Sequence, residues 1–366
     1  MTTPRYRADQ VGSLLRPPEL LEARAARAEG RLSAEELRAA EDRAVLDALR
    51  LQQEVGIDIY TDGELRRDSW LSDLAEAVEG FVSERVPMAW RGPGGGIEGS
   101  RALVVGAPLR QHRRLTAHET PFLRQHSPGP FKLTMPSPSV FIQASYLPGV
   151  TDRVYPTRKA LLDELVPIVR REIEALLAEG VPYIQLDAPQ YTYYVDPQVR
   201  AHLQQQGVDP DALLADAIAG DRACLEGLAR DGVTLALHLC RGNSRSRWIA
   251  EGGYDGLAER LFTTLPVDRF LLEYDSDRAG GFEPLRFVPR GKMVVLGLIS
   301  TKVPETPSVD ELRRRIDEAA RYVPLEDLAI SPQCGFASVA AGNLISLDDQ
   351  RRKLERVVET ARRVWG

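Results

Sequence analysis

The sequence predicts an α/β fold: a (β/α)8 barrel of the TIM type with a β-hairpin insertion after its second βα unit. Three observations predict it. Short β-rich runs recur along the 366 residues, longer amphipathic helical patterns separate most of them, and the runs end in reactive residue types. Strands alternating with helices build a parallel sheet, and eight parallel strands suggest one that closes on itself, with its active site at the C-terminal ends of the strands.

The eight runs are VGSLL from Val11, IDIYTDGE from Ile57, FKLTMP from Phe131, YIQLD from Tyr183, TLALHLC from Thr234, RFLLEYD from Arg269, MVVLGLIS from Met293 and LAISPQC from Leu328. Between the first two, Ser33 to Val55 opens on a Ser-Ala-Glu-Glu capping box, in which serine and glutamate satisfy each other's free backbone N–H groups. Arg158 to Glu179 is helical and stops at Gly180, and Asp310–Tyr322 and Leu347–Val364 are further amphipathic helices. The stretch 80–129 carries RGPGGGIEG and RALVVG and no long helical pattern, so it reads as a hairpin excursion over the barrel mouth, within one catalytic domain spanning 1–366. Pro93-Gly94-Gly95-Gly96 is a turn: it lacks the Lys-Ser/Thr ending and the following helix of a phosphate loop.

Composition excludes several classes. With 43% apolar and 27% charged residues the chain is globular, and a net charge of −6 with basic and acidic residues intermixed leaves no stripe for nucleic acid or an anionic membrane. No apolar run approaches the roughly 20 residues that span a bilayer, and MTTPRYRADQ lacks the apolar core of a secretory signal, so the cytoplasm is expected. Three cysteines are too few for a disulfide framework. Cys224, within DRACLEGLARDG, reads as a packed helix residue.

The other two cysteines join a pattern. His238 and Cys240 stand at i and i+2 at the end of one run, a spacing that puts both on one side of a strand. Glu273 ends the next run and Cys334 the last, so His238, Cys240, Glu273 and Cys334 can supply four ligands to one zinc ion. Singly each is an ordinary buried residue; together, at one rim, they suggest a metal that does chemistry. Ser13, Arg16, Asp62, Glu64, Asp187, Arg241, Asp275, Ser300, Thr301, Lys302 and Gln333 follow the same strand ends.

VGSLLRP, DGE, YIQLDAP, HLC, LLEYDS and SPQCG, in this order, resemble the C-terminal catalytic barrel of cobalamin-independent methionine synthase and its short single-barrel relatives, across nearly the whole chain. The resemblance implies that the zinc set activates homocysteine. It further implies that Gly12 and Ser13 hold the amino-acid carboxylate while Glu64 and Asp187 hold its ammonium group, a task that suits paired carboxylates. The CRGN continuation, Cys240 to Asn243, is closer to the short relatives.

The departures lie on the donor side. The full-length family has an additional N-terminal barrel, so a polyglutamate grip from that half is not expected here. MPSPSVFIQASY lacks the pterin-stacking Trp, with Phe141 or Tyr146 as substitutes. GLISTK carries Gly297 and Ile299 where the full-length family has an Asp-x-His pair, and Gln10 stands where short relatives often carry His. Lys302, Arg241 and Ser300 are then the remaining catalytic or donor-side candidates.

The resulting expectation is a zinc-dependent methyltransferase making methionine from homocysteine, with a methyl-folate or a methyl-corrinoid, including a corrinoid protein, as donor. Two alternatives share the metal. One is alkylation of another thiol, as in epoxyalkane:coenzyme M transferases, where Arg241 or Lys302 would bind a sulfonate and Glu64 and Asp187 would oppose it. The other is a zinc- and thiol-binding module without turnover.

Overall fold

In the computed structural model, which describes residues 5–366, six parallel strands follow one another in sequence order. Preceding them is an antiparallel hairpin of β1 (Val78–Trp90) and β2 (Gly96–Gln111). The parallel strands are β3 (Lys132–Pro136), β4 (Tyr183–Asp187), β5 (Thr234–Leu239), β6 (Arg269–Glu273), β7 (Met293–Ile299) and β8 (Leu328–Pro332). Every residue of these six is buried, which explains why they read as continuous apolar runs rather than as alternating ones. Val11, Ile59, Tyr183, Ala236, Leu271, Val295 and Ala329 form a small inner cluster, and a larger apolar layer joins the strands to the surrounding helices.

The first two expected strands are corrected. Neither VGSLL nor IDIYTDGE forms an extended strand; the pairing is carried by single bridges, Ala8 to Ile330 and Tyr60 to Phe131. Asp58 N donates to Ala8 O at 3.1 Å, so backbone bonds still run from β8 through residues 8 and 58–60 to β3. The ladder stops early because the chain turns into the site. Gly12 lies at φ 154°, and a Cβ there would meet Thr134 Cγ2 at 2.8 Å and Glu64 Oε1 at 2.9 Å. Leu14 N bonds Gly63 O instead of a strand neighbour.

The helices match their sequence signals closely. Ala34–Val55 has Ser33 as N-cap with the full Ser33–Glu36 capping box, and ends on Gly56 at φ 83°. Arg158–Ala178 runs to Gly180 at φ 70°, while Val309–Ala319 and Leu347–Trp365 each begin with a serine capping box. In the expected excursion the hairpin is followed by a short helix, Thr120–His126. The tip of the hairpin lies on the loop after β5: Arg91 and Trp248 exchange backbone hydrogen bonds of 2.7 and 3.1 Å, and Arg247 pairs with Glu98 at 2.8 Å. No helix among the described residues is long and apolar enough to cross a membrane.

Candidate metal centre and substrate pocket

The parallel register sets the site. Asp187 on β4 is level with His238 on β5, and Glu273 on β6 is level with Gly297 on β7. Cys240 lies one residue beyond β5, and Cys334 two beyond β8. One ligand atom each from His238, Cys240 and Cys334 lies within 4.8 Å of the other two, and all three residues are buried. Neither ring nitrogen of His238 meets a nitrogen or oxygen partner; the Cys334 thiol stands beside it. A hydrogen bond from Cys240 and the neighbouring His238 hold the Cys334 thiol well below its ordinary range, while the same bond and burial push Cys240 up. Burial alone would lower the His238 pKa, but Cys334 and the charges of Asp187 and Glu273 carry it upward. Two thiol groups and an imidazole converging in a buried site suit a soft or borderline dication such as zinc.

Glu273 stands outside this trio. Its carboxylate is fully buried, with Oε2 accepting from the Arg241 backbone N–H at 2.8 Å and Oε1 from Arg278 Nε and Nη2 at 3.2 Å. Arg278 also grips Asp275 at 2.9 and 3.1 Å and stacks on Trp248, 4.5 Å from the ring centroid.

The two expected substrate carboxylates are both buried beside the trio. Glu64 is held at φ 55°, directly after Gly63 at φ 70°, a strained backbone for a side chain that has a Cβ. Its Oε1 accepts from Thr134 Oγ1 at 2.9 Å, and its Oε2 has no partner. Asp187 accepts from Gln185 Nε2 at 2.8 Å, and burial pushes its pKa up to about 7, with the charge of Glu64 adding and that of His238 opposing. Ser13 comes close to the loop after β8: Phe336 N bonds its carbonyl at 2.8 Å and Ala337 N its hydroxyl at 3.3 Å. That approach needs Gly335, where a Cβ would overlap Ser13 Oγ.

The three donor-side candidates are less available. Arg241 is fully buried, its guanidinium donating to the carbonyls of Gly252, Glu273 and Ala279 and lying 4.5 Å from the Tyr254 ring centroid. Lys302 Nζ donates to Gly242 O at 2.9 Å and Asn243 Oδ1 at 2.8 Å, which ties the loop after β7 to the loop after β5. Ser300 bonds Asp275 and accepts from Lys302 N at 3.3 Å. Gly297 has a steric reason: a Cβ there would lie 2.7 Å from Gln333 Cα and 2.8 Å from Leu272 O, so no longer side chain fits.

Sequence reasoning missed four residues. Tyr193 is buried, and burial together with the charges of Cys240, Cys334 and Glu273 raises its phenol well above the ordinary range. Gln185 holds Asp187 and is itself held by the buried Lys132, whose Nζ donates to Gln185 Oε1 at 2.8 Å and to Asp9 at 2.9 Å. Arg278 and Trp248 complete the set. Only the position of Gln185, at i−2 to Asp187 and therefore on the same strand face, was readable. A second group, Asp73, His118 and Glu119, has the composition of a metal site, but the Arg67 guanidinium occupies it, 2.6 Å from Asp73 and 2.8 Å from Glu119.

With this geometry established, the family profile for the cobalamin-independent synthase catalytic domain matches residues 7–362. The chain belongs to that family. YxjH of Bacillus subtilis, an uncharacterized protein, is 36% identical over 98% of this chain and 95% of its own. Methionine synthase of Pyrococcus abyssi is 25% identical over 92% of this chain and 88% of its own. A crystal structure from Listeria monocytogenes, named a putative vitamin-B12 independent methionine synthase, superimposes with a TM-score of 0.76 at 30% identity, covering 100% of this chain and 99% of that one. The family makes this chain a methionine synthase-like methyltransferase with a mixed α/β, parallel-sheet fold.

Proposed function

We propose that the protein transfers a methyl group to the thiol of homocysteine, giving methionine, with zinc held by His238, Cys240 and Cys334 and with Glu273 as the fourth ligand. The observation that carries this reading is the convergence of the buried His238 imidazole with the Cys240 and Cys334 thiols, near the buried carboxylate Asp187. Zinc bound there supplies a thiol that is deprotonated, and so nucleophilic, at neutral pH. The protein supplies alignment. Glu64 and Asp187 bind the ammonium group, and Gly12 and Ser13 receive the carboxylate. Fixing acceptor and donor at near-attack distance accounts for a large share of the barrier in such a transfer. Methyl passes as CH3+ to sulfur from nitrogen of a folate-type donor, which keeps the electron pair of the broken bond and takes up the proton the thiol gives up, or from cobalt of a corrinoid, which leaves as cobalt(I) while the thiol proton goes to solvent. The coenzyme-M-like alternative is weaker because the two cations it needs, Arg241 and Lys302, are committed to internal carbonyls and an amide.

The test is to incubate zinc-loaded protein with homocysteine and, separately, methyl-folate monoglutamate, methyl-folate polyglutamate and methylcobalamin. Methionine formed with any of these donors supports the reading and names the donor. Methylation of thiols lacking the amine, with none of homocysteine, contradicts it.

A further inference from the structure

We infer that Arg278 is a positioning residue that competes with the metal for the Glu273 carboxylate and receives it when a thiol substrate takes its place. The inference rests on the metal reading above and extends it to a residue outside the ligand set.

Glu273 is close enough for its charge to act on His238 and Cys240, yet both of its oxygens are engaged elsewhere. One of those engagements is with the backbone and the other with a side chain. The Arg241 N–H belongs to the backbone directly after Cys240, so it moves only with the site. Arg278 is a side chain on a short 3-10 turn, Asp277–Ala279, 12% exposed. It holds Glu273 and Asp275 together, two carboxylates that would otherwise repel each other in a buried setting. A charge-assisted hydrogen bond of this kind is roughly twice as strong as a neutral one, so it competes with a metal for the carboxylate.

The platform beneath Arg278 explains why the hairpin reaches this far. The guanidinium stacks on Trp248, whose indole Nε1 donates to Glu251 at 2.8 Å and whose backbone pairs with Arg91 at the hairpin tip. Gly92 packs on the face of that indole, where a Cβ would overlap the ring. The hairpin tip thus seats Trp248, Trp248 seats Arg278, and Arg278 sets where Glu273 rests.

The experiment measures zinc affinity by chelator competition, without substrate, for wild type, Arg278→Gln, Arg278→Lys, Glu273→Gln and the Glu273→Gln/Arg278→Gln double variant. Homocysteine binding is then read from the thiolate charge-transfer band of the cobalt-substituted proteins. Arg278→Gln frees Glu273 and should tighten zinc by about tenfold or more while weakening homocysteine by a similar factor, because the displaced carboxylate has lost its acceptor. Arg278→Lys should do both to a smaller extent, and it carries the test if Arg278→Gln does not fold. In the Glu273→Gln background, Arg278→Gln should change zinc affinity by less than about twofold, since the two residues act on the metal as a pair. Unchanged zinc affinity in the Arg278 variants, or the same gain with and without Glu273, overturns the inference; the latter outcome would mean a general charge effect. Wild-type zinc that survives loss of Cys334 would instead overturn the metal reading itself.

Discussion

Glu64 occupies a left-handed backbone conformation at φ 55°, with one carboxylate oxygen lacking a partner in a buried setting. Strain and an unsatisfied polar atom at one residue are tolerated where a ligand completes the site. Asp187 faces the same space and is tied to Gln185. Asp187→Asn should weaken homocysteine about ten- to hundredfold more than a thiol of similar length lacking the amine, since a hydrogen bond to a charged group contributes about 1.5–3 kcal/mol. Isothermal titration with both thiols checks this, and equal losses would assign Asp187 another role. Gly335→Ala tests the other end of the substrate. Its Cβ overlaps Ser13 Oγ, so it should destabilise the protein by about 1–3 kcal/mol and raise KM more than it lowers kcat, as overpacking at the carboxylate site predicts. At this scale the convergence of His238, Cys240 and Cys334, a group that could hold a metal, was legible, because histidine and cysteine at strand ends form a recognisable chemistry; Glu273, expected as the fourth ligand, lies outside that group. Tyr193, Trp248 and Arg278 were not. They sit in loops where nothing periodic fixes which way a side chain points.

At the scale of elements, one buried carboxylate couples three helices. Asp221, on the helix Pro210–Leu225, accepts from Ser139 N and Oγ and from the Tyr191 hydroxyl, joining the helix Pro138–Ala144 and the turn after β4 to its own helix. Burial raises its pKa from 3.8 to about 6, and the hydrogen bonds only partly oppose it. A raised folded-state pKa means that the stabilising contribution is full below the unfolded value and is lost as pH rises through about 6. Compared with Asp221→Asn, which cannot ionise, wild type should therefore lose up to about 3 kcal/mol of unfolding free energy between pH 4 and pH 7. Urea unfolding of both proteins across that range checks the sign, and a constant difference would contradict it. Helix boundaries were legible because caps are local: Ser33 with Glu36, and Gly180 after Ala178, need no tertiary context. The first two strands were misread for the opposite reason. Apolar content marks burial, but Gly12 and Gly63 turn those segments out of the ladder and toward the site.

For the whole molecule, the metal trio joins chain segments nearly 100 residues apart, from the ends of β5 and β8, without belonging to the apolar layer between strands and helices. Metal removal should then leave far-UV circular dichroism unchanged while lowering the thermal midpoint. Zinc at a hundredfold excess over its Kd adds about 2.7 kcal/mol to stability if it binds only the folded state. Collapse of the helical signal on chelation would mean that the metal organises the fold itself. The most direct measurement of the central claim is zinc content with zinc-edge X-ray absorption on wild type, Cys240→Ser and Cys334→Ser. One zinc per chain, with two sulfur neighbours at about 2.3 Å, a third sulfur on adding homocysteine, and loss of most of the metal from each variant is the predicted result. Full zinc occupancy in both serine variants would contradict it.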